Sequence, residues 1–245
     1  MAHITPFEDY EVLTLPGEPG SRQALIIASG IGDLNLPVPG FDFYETAQRL
    51  SPQVTTLIIK DTTRSWYNSP KGWKDLLQHI HTELQSRSVN DVTAVGLSMG
   101  GFGAFVLAHE LNSIHRVVSL STRCVLDAND ALDRRNQALI AGIKNTTYRN
   151  LNALVRPNCD YTAIFSIDEP EDIVQAYRFK PNTVRLLATT GSHNIATTLQ
   201  QQGSMQLSSF LIACTQNLPN PEEYGLFIPS ESVHNWALEF IHHHR

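Results

Sequence analysis

The sequence predicts an α/β fold in which one mostly parallel sheet is flanked by helices. Short apolar runs of strand length, such as residues 24–28 and 54–59, alternate along the 245-residue chain with amphipathic stretches of helical spacing. Continuous apolar runs indicate strands that are buried on both faces. Repeated strand and helix order is accommodated most simply by parallel strands joined through right-handed helical crossovers.

The first 90 residues contain three predicted strands and two predicted helices. Residues 10–15 alternate enough for a strand and end at a Pro-Gly turn, while the apolar runs at 24–28 and 54–59 indicate two buried strands. Amphipathic spacing predicts helices over 43–50 and 71–85. The loops after the two buried strands lie at the carboxyl edge of the sheet, where open parallel sheets bind their ligands.

The most informative stretch is residues 91–104, which combine an apolar strand, a G-x-S-x-G turn centred on Ser98, and a helix that opens with small residues. Glycines on both sides of the serine let a strand turn directly into a helix, because a Cβ would leave no room there. The hydroxyl is then held out on a strained turn. This context predicts that Ser98 is a nucleophile rather than a helix cap or a filler.

The second half of the chain resumes the alternation after one interruption. Residues 127–159 have no strand pattern, and polar helical segments at 131–142 and 148–155 predict a helical insertion that forms a small lid over the sheet edge. No repeat or linker divides the chain, so we expect one domain over residues 1–245. The remaining predicted elements are strands at 116–120, 161–167 and 183–188 and helices at 173–179, 195–202, 204–214 and 233–241.

The composition of the chain limits the kinds of molecule that it is expected to bind. The chain is 42% hydrophobic and 17% charged, and its formal net charge is −6. Such a chain has no basic surface for nucleic acid or for an anionic membrane. No apolar run approaches the roughly 18 residues of a membrane span. We therefore expect a small-molecule substrate, with neither nucleic acid nor membrane as a partner.

Cysteine and histidine usage gives no sign of a metal site or a disulfide framework. Cys124, Cys159 and Cys214 are odd in number, widely spaced and in no C-x-x-C pair, so we expect reduced thiols in a cytoplasmic protein. The first nine residues have neither a basic start nor an apolar core, so we expect no secretory signal. The terminal triplet 242–244 consists of consecutive histidines on a tail, from which we expect no metal site.

A serine nucleophile needs a base and an acid that orients the base. His193 is the best base, because it alone lies on a short loop directly after a buried strand and downstream of both the serine and an acidic turn. His234 is the alternative, although no convincing acid-bearing strand precedes it. For the acid we prefer Asp168, just beyond the strand at 161–167. Asp172 is its rival and ranks second, because a role as helix cap would already explain an aspartate at that position. Glu169 ranks third.

The loops that follow two earlier strands supply the rest of the predicted site. The oxyanion hole is expected from the backbone amides of Met99, directly after the nucleophile, and Ile31, in the glycine loop after residues 24–28. Gly30 in that loop would let a substrate approach the backbone closely. Trp66 and Tyr67 follow the strand at 54–59 and are predicted to wall the pocket, with packing against neighbouring loops as the equal alternative.

These features together resemble the alpha/beta-hydrolase superfamily. The resemblance covers residues 24–202 or so, and it is carried by the glycine-flanked Ser98, the Ser29-Gly30 loop and the chain order of serine, aspartate and histidine. It implies a three-layer fold with a mostly parallel sheet, and serine chemistry that needs no cofactor.

A closer similarity, to a group of poorly characterised bacterial hydrolases, is carried by loops at 61–68, 165–176 and 191–194. This similarity favours His193 over His234 as the base. It also supports Asp172, beside Asp168, as a candidate for the acid that orients the base. The sequence departs from the common pattern at two places. Ser29 stands where many members have a histidine, and the acidic turn at 168–172 lacks the usual Gly-x-x-Asp form.

The sequence therefore predicts a carboxylesterase or thioesterase that cleaves a small acyl substrate through a Ser-His-Asp triad and a covalent acyl-enzyme. One alternative is an acyltransferase in which an alcohol, amine or thiol replaces water at the same site. The other is a binding protein without catalysis, in which Ser98 and His193 lie beyond hydrogen-bond reach.

Overall fold

A computed structural model describes residues 2–201, 206–216 and 220–243. Eight strands form one sheet: β1 (His3–Phe7), β2 (Tyr10–Leu15), β3 (Gln23–Ala28), β4 (Thr55–Asp61), β5 (Asp91–Leu97), β6 (Ile114–Leu120), β7 (Asp160–Ser166) and β8 (Arg185–Thr189). Their order across the sheet is β1-β2-β4-β3-β5-β6-β7-β8. The strand order reverses between β3 and β5, and open α/β sheets bind ligands at such a reversal.

The sheet is parallel except at one edge. Strands β3 to β8 pair parallel with their neighbours, β2 runs antiparallel to β4, and β1 runs antiparallel to β2. The seven predicted strands correspond to β2 to β8. Strand β1 was not predicted, because it is short and largely exposed and contains Pro6, which fits a strand at the edge of the sheet.

Helices cover both faces of the sheet. They are α1 (Tyr44–Leu50), α2 (Trp73–Ser86), α3 (Met99–Glu110), α4 (Gln137–Ala141), α5 (Pro170–Ala176), α6 (Ile195–Gln201), α7 (Gln206–Gln216) and α8 (Glu231–His243). Consecutive residues of β3 belong to different cores: Ile26 packs with α2 and α3, whereas Ile27 packs with α1, α6 and α7. This alternation confirms the predicted three-layer α/β fold.

The insertion between β6 and β7 contains less helix than predicted. Of its residues, only α4 and the 3₁₀ turn Leu151–Ala153 are helical. Asp127, Asp130 and Asp133 each accept the backbone N–H two residues further on. Such local side-chain bonds compete with helical hydrogen bonds. They explain why residues 131–136, predicted as helix, are irregular.

Some predicted positions cannot be compared. The end of the predicted helix at Gln202, the start of the next at Ser204, and His244 of the terminal triplet lie outside the described residues. Among the helices that are described, none is both long enough and apolar enough to cross a membrane.

Candidate active site

Ser98 lies on a strained turn between β5 and α3. Its backbone has φ 56° and ψ −116°, which is unusual for a residue with a side chain. A Cβ on Gly100 would lie 2.0 Å from the carbonyl oxygen of Ala28, and one on Gly96 would lie 2.1 Å from the carbonyl oxygen of Gly100. The two glycines therefore allow α3 to start directly against β3 and β5, with the serine at the tip of the turn.

Ser98, His193 and Asp172 form a continuous hydrogen-bonded series at the carboxyl edge of the sheet. Ser98 Oγ lies 3.0 Å from His193 Nε2, and His193 Nδ1 lies 2.7 Å from Asp172 Oδ1. His193 is on the loop between β8 and α6, and Asp172 is in the first turn of α5. The distance between the serine and the imidazole argues against the binding-protein alternative, which requires the two to be out of reach.

The preference for Asp168 as the partner of the imidazole is wrong. Asp168 Oδ2 instead accepts the N–H of Gly191 at 2.7 Å. Asp172 would be a helix cap if the helix began at residue 173, as the sequence predicts. The helix starts at Pro170, which suits the first helical position, and Glu169 is its N-cap residue. The Asp172 side chain is therefore free to point at His193.

The acidic turn also shapes the backbone that carries His193. Glu169 Oε1 accepts the backbone N–H of His193 at 3.1 Å, and the hydroxyl of Ser166 donates to the carbonyl of Gly191. Together with the contact of Asp168 to Gly191, these bonds connect the end of β7 to the loop after β8. Asp168 thus stabilises the loop after β8 and forms no hydrogen bond with the imidazole ring of His193.

Arg135, from the insertion, is a site residue that the sequence did not reveal. Its Nη1 lies 2.5 Å from Asp172 Oδ1 and 2.8 Å from His193 Nδ1. Asp133 holds the other edge of the guanidinium, with Nε to Oδ1 and Nη2 to Oδ2 both at 2.9 Å. A possible signal was the Asp-x-Arg spacing in a polar insertion, but nothing in that pattern indicates which way the arginine points.

The surroundings of Asp172 and Arg135 favour the charged form of each side chain. Burial by itself would raise the pKa of the Asp172 carboxyl, but the hydrogen bond and charge of His193, and then those of Arg135, hold it below its ordinary value. Burial would lower the pKa of Arg135, yet Asp133 and Asp172 raise it above its ordinary value. A carboxylate and a guanidinium therefore face the imidazole together.

Of the two predicted oxyanion residues, Met99 directly follows Ser98 and Ile31 lines the same cavity as Ser98. Met99 is the first residue of α3, and Ile31 lies in the loop after β3. No hydrogen bond runs from either amide to another described residue. The amide of Gly30, in contrast, donates to Asp42 Oδ2 at 2.6 Å. Arg64 fixes the loop from outside, because its guanidinium donates to the carbonyls of Ile31, Asp33, Leu36 and Pro37.

A cavity of about 550 Å³ opens beside Ser98. Burial raises the pKa of Asp42 in its wall. Among the described residues, its lining combines polar side chains with the apolar side chains of Ile31 and Leu97. It is lined by Gly30, Ile31, Gly32, Asp42, Leu97, Ser98, Arg135, Asn136, His193 and Asn194.

Gly30 lines this cavity as predicted, but the prediction that Trp66 and Tyr67 wall it is wrong. Both aromatic residues are buried in the core. The buried carboxylate of Asp61 accepts the backbone N–H of Tyr67 at 2.9 Å and folds the loop inward. The Tyr67 ring fills the space left by Gly103, where a Cβ would lie 2.3 Å from it. The Tyr67 hydroxyl donates to the carbonyl of Ser29, so it supports the glycine loop from below.

The fold is shared with solved proteins of the alpha/beta-hydrolase type. A capsule O-acetyltransferase of Neisseria meningitidis serogroup A matches with a TM-score of 0.61 at 16% identity, over 87% of this chain and 94% of that one. An esterase of Pyrobaculum calidifontis matches at 0.58 and 13% identity, over 88% and 84%. An acylaminoacyl peptidase of Pyrococcus horikoshii matches at 0.64 and 10% identity, over 91% of this chain but 43% of that one.

The comparisons at the level of sequence found nothing further: no family model and no curated protein matches. At the identities given, the structural likeness shows the fold alone. The chain has the alpha/beta-hydrolase fold.

Proposed function

We propose that this chain is a serine hydrolase that cleaves an ester or thioester of a small acyl group. The observation that carries the proposal is the series from Ser98 Oγ to His193 Nε2 at 3.0 Å and from His193 Nδ1 to Asp172 Oδ1 at 2.7 Å. Acyl transfer by a serine requires this arrangement of nucleophile, base and orienting acid. The fold supports the proposal, since esterases and an O-acetyltransferase share it.

In the first half of the reaction, Ser98 Oγ attacks the acyl carbon while His193 Nε2 takes the hydroxyl proton. Asp172 orients the imidazole and stabilises the imidazolium. The amides of Met99 and Ile31 donate to the developing oxyanion. Collapse of the tetrahedral intermediate expels the alcohol or thiol, to which His193 returns the proton, and leaves an ester on Ser98. Water activated by His193 then releases the acid and restores the serine.

The cavity favours a short acyl group on a polar alcohol or thiol. Its wall includes the polar side chains of Asp42, Asn136 and Asn194 beside the apolar side chains of Ile31 and Leu97. A long aliphatic chain would need an apolar channel. The amide and carboxyl side chains of this wall can instead form hydrogen bonds with hydroxyl groups of a substrate. The substrate proposed here is therefore a small acyl ester or thioester.

A fluorophosphonate probe is expected to label the wild-type protein at Ser98, because only a serine activated by a base reacts at a useful rate. Intact mass measurement should show one adduct, and peptide mapping should place it on Ser98. Ser98→Ala should take up no label. Ser121, at the end of β6 and also with positive φ, supplies the matched control, since Ser121→Ala should label as fast as the wild type. A wild type that does not label, or a Ser98→Ala protein that does, would refute the proposal.

One observation favours an acyltransferase as the second candidate. The match to the capsule O-acetyltransferase covers 94% of that protein, and the polar cavity wall could hold a hydroxylated acceptor in place of water. With p-nitrophenyl acetate as donor, adding methanol, glycerol or a monosaccharide separates the two functions. A hydrolase should yield acetate whatever the acceptor. A transferase should divert most of the acetyl group to the acceptor at millimolar concentration, which chromatography of the products would measure.

We place the protein in the cytoplasm. Cys124, Cys159 and Cys214 are all free and buried. Oxidising compartments favour paired cysteines, whereas free thiols persist under reducing conditions.

A further inference from the structure

His193 Nδ1 has two partners where the proposed mechanism needs one. Asp172 Oδ1 lies 2.7 Å from it, and Arg135 Nη1 lies 2.8 Å from it. The same Arg135 nitrogen lies 2.5 Å from the same Asp172 oxygen. Three polar atoms therefore lie within hydrogen-bond distance of one another.

The two contacts of Nδ1 cannot both be hydrogen bonds at once. An imidazole nitrogen carries either a proton or a lone pair in the ring plane, and a guanidinium can only donate. A bond to Asp172 requires a proton on Nδ1, which leaves Nε2 bare to take the proton of Ser98. A bond from Arg135 requires Nδ1 bare, so that the neutral ring carries its proton on Nε2 and cannot act as the base. Arg135 and Asp172 thus favour opposite tautomers.

Arg135 is held in this position from behind. Asp133 accepts from its Nε and Nη2, both at 2.9 Å, and Asp133 is itself paired with Arg123 at 2.8 Å. The side chain of Asp133 is fully buried. The guanidinium therefore cannot swing away from His193 without breaking two charge-assisted hydrogen bonds.

On the basis of the proposed function, we infer that Arg135 is a positioning residue that restrains His193. It competes with the ring for Asp172 Oδ1, favours the tautomer that cannot accept the serine proton, and places a positive charge beside the imidazolium that forms during the reaction. Removing the guanidinium should therefore make Ser98 more reactive. A residue with a purely structural role would give the opposite result.

Other charged groups face His193 and stay in place in such a variant. Glu169 accepts its backbone N–H, Asp168 holds the neighbouring Gly191, and Asp42 lies across the cavity. These groups are acidic and are the same in both proteins. Arg135 is the positively charged side chain that contacts the ring among the described residues, so the change in charge on the ring can be assigned to it.

The test compares Arg135→Gln with the wild type by the rate of fluorophosphonate labelling from pH 5 to 9. We expect a plateau rate at least about threefold higher, together with a shift of the acidic midpoint by about half a pH unit or more toward alkaline pH. The shift follows because a like charge that opposes protonation of the ring has been removed. Asp133 keeps Arg123 as its partner, so the variant should fold, which thermal melting would verify.

Two further variants make the test specific. Arg134→Gln removes the same charge from the exposed neighbouring residue and should label as the wild type does. Arg135→Lys keeps the charge without the planar fork, so its midpoint should stay near that of the wild type. A folded Arg135→Gln protein with an unchanged or lower plateau, or with an unmoved midpoint, would overturn the inference. If the wild type itself does not label, the proposed function fails instead.

Discussion

Replacing His193 by glutamine lowers kcat/KM for ester hydrolysis by about 10⁴-fold or more, because the base that takes the serine proton is lost. Glutamine is close to histidine in size and can still hydrogen-bond Ser98, but it cannot accept a proton. The Nε2 atom is 3.0 Å from Ser98 Oγ, so nothing else needs to move for the wild-type ring to act. Hydrolysis of p-nitrophenyl acetate, followed at saturating and subsaturating concentrations, measures the loss.

His234 is the natural control, since it was the other candidate base in the sequence. It lies in α8, and its ring packs edge-on against Tyr177, with centroids 5.1 Å apart. His234→Gln should therefore leave kcat/KM within about twofold and affect stability by no more than about 1 kcal/mol. Equal losses for the two variants, or a greater loss at His234, would contradict the assignment of the base.

The fold and two of the three members of the hydrogen-bonded series could be predicted because they depend on local patterns. Buried parallel strands are continuous apolar runs, and the residues that follow them reach one edge of the sheet whatever the intervening sequence. Ser98 follows such a run directly, and His193 lies on the short loop after another. Their meeting at 3.0 Å is a consequence of strand order, which the alternation of strands and helices already implied.

The parts that were not predicted depend on contacts between distant segments. Trp66 and Tyr67 occupy a loop whose sequence allows either a pocket wall or a core, and the buried Asp61 carboxylate decides between them by drawing the loop inward. Arg135 lies in an insertion of aspartate turns with no periodicity. Its direction is set by Asp133 and Asp172, and Asp172 is 37 positions away.

The choice between Asp168 and Asp172 as the partner of His193 depended on where one helix begins. Substituting these two aspartates should therefore change the rate by very different factors. Asp172→Asn should lower kcat by about 10³-fold to 10⁴-fold, because an amide in place of the carboxylate favours the wrong imidazole tautomer and cannot stabilise the imidazolium. Asp168→Asn should lower kcat by less than about tenfold, since the asparagine oxygen can still accept the N–H of Gly191. In the wild-type protein this N–H donates to Asp168 Oδ2 at 2.7 Å. Steady-state hydrolysis of the same ester measures both.

The two substitutions are matched in size and charge, so their difference isolates the position of the carboxylate. Asp172 is fully buried at its side chain and shares one oxygen between His193 and Arg135. Its amide variant therefore leaves Arg135 beside an imidazole that no carboxylate stabilises, so the ring should be harder to protonate and the acidic midpoint should move to lower pH. The loss relative to the wild type should then be greatest on the plateau above the midpoint and smaller at low pH. A larger loss for Asp168→Asn, or similar losses for both, would mean that Asp172 does not act on His193 during the reaction.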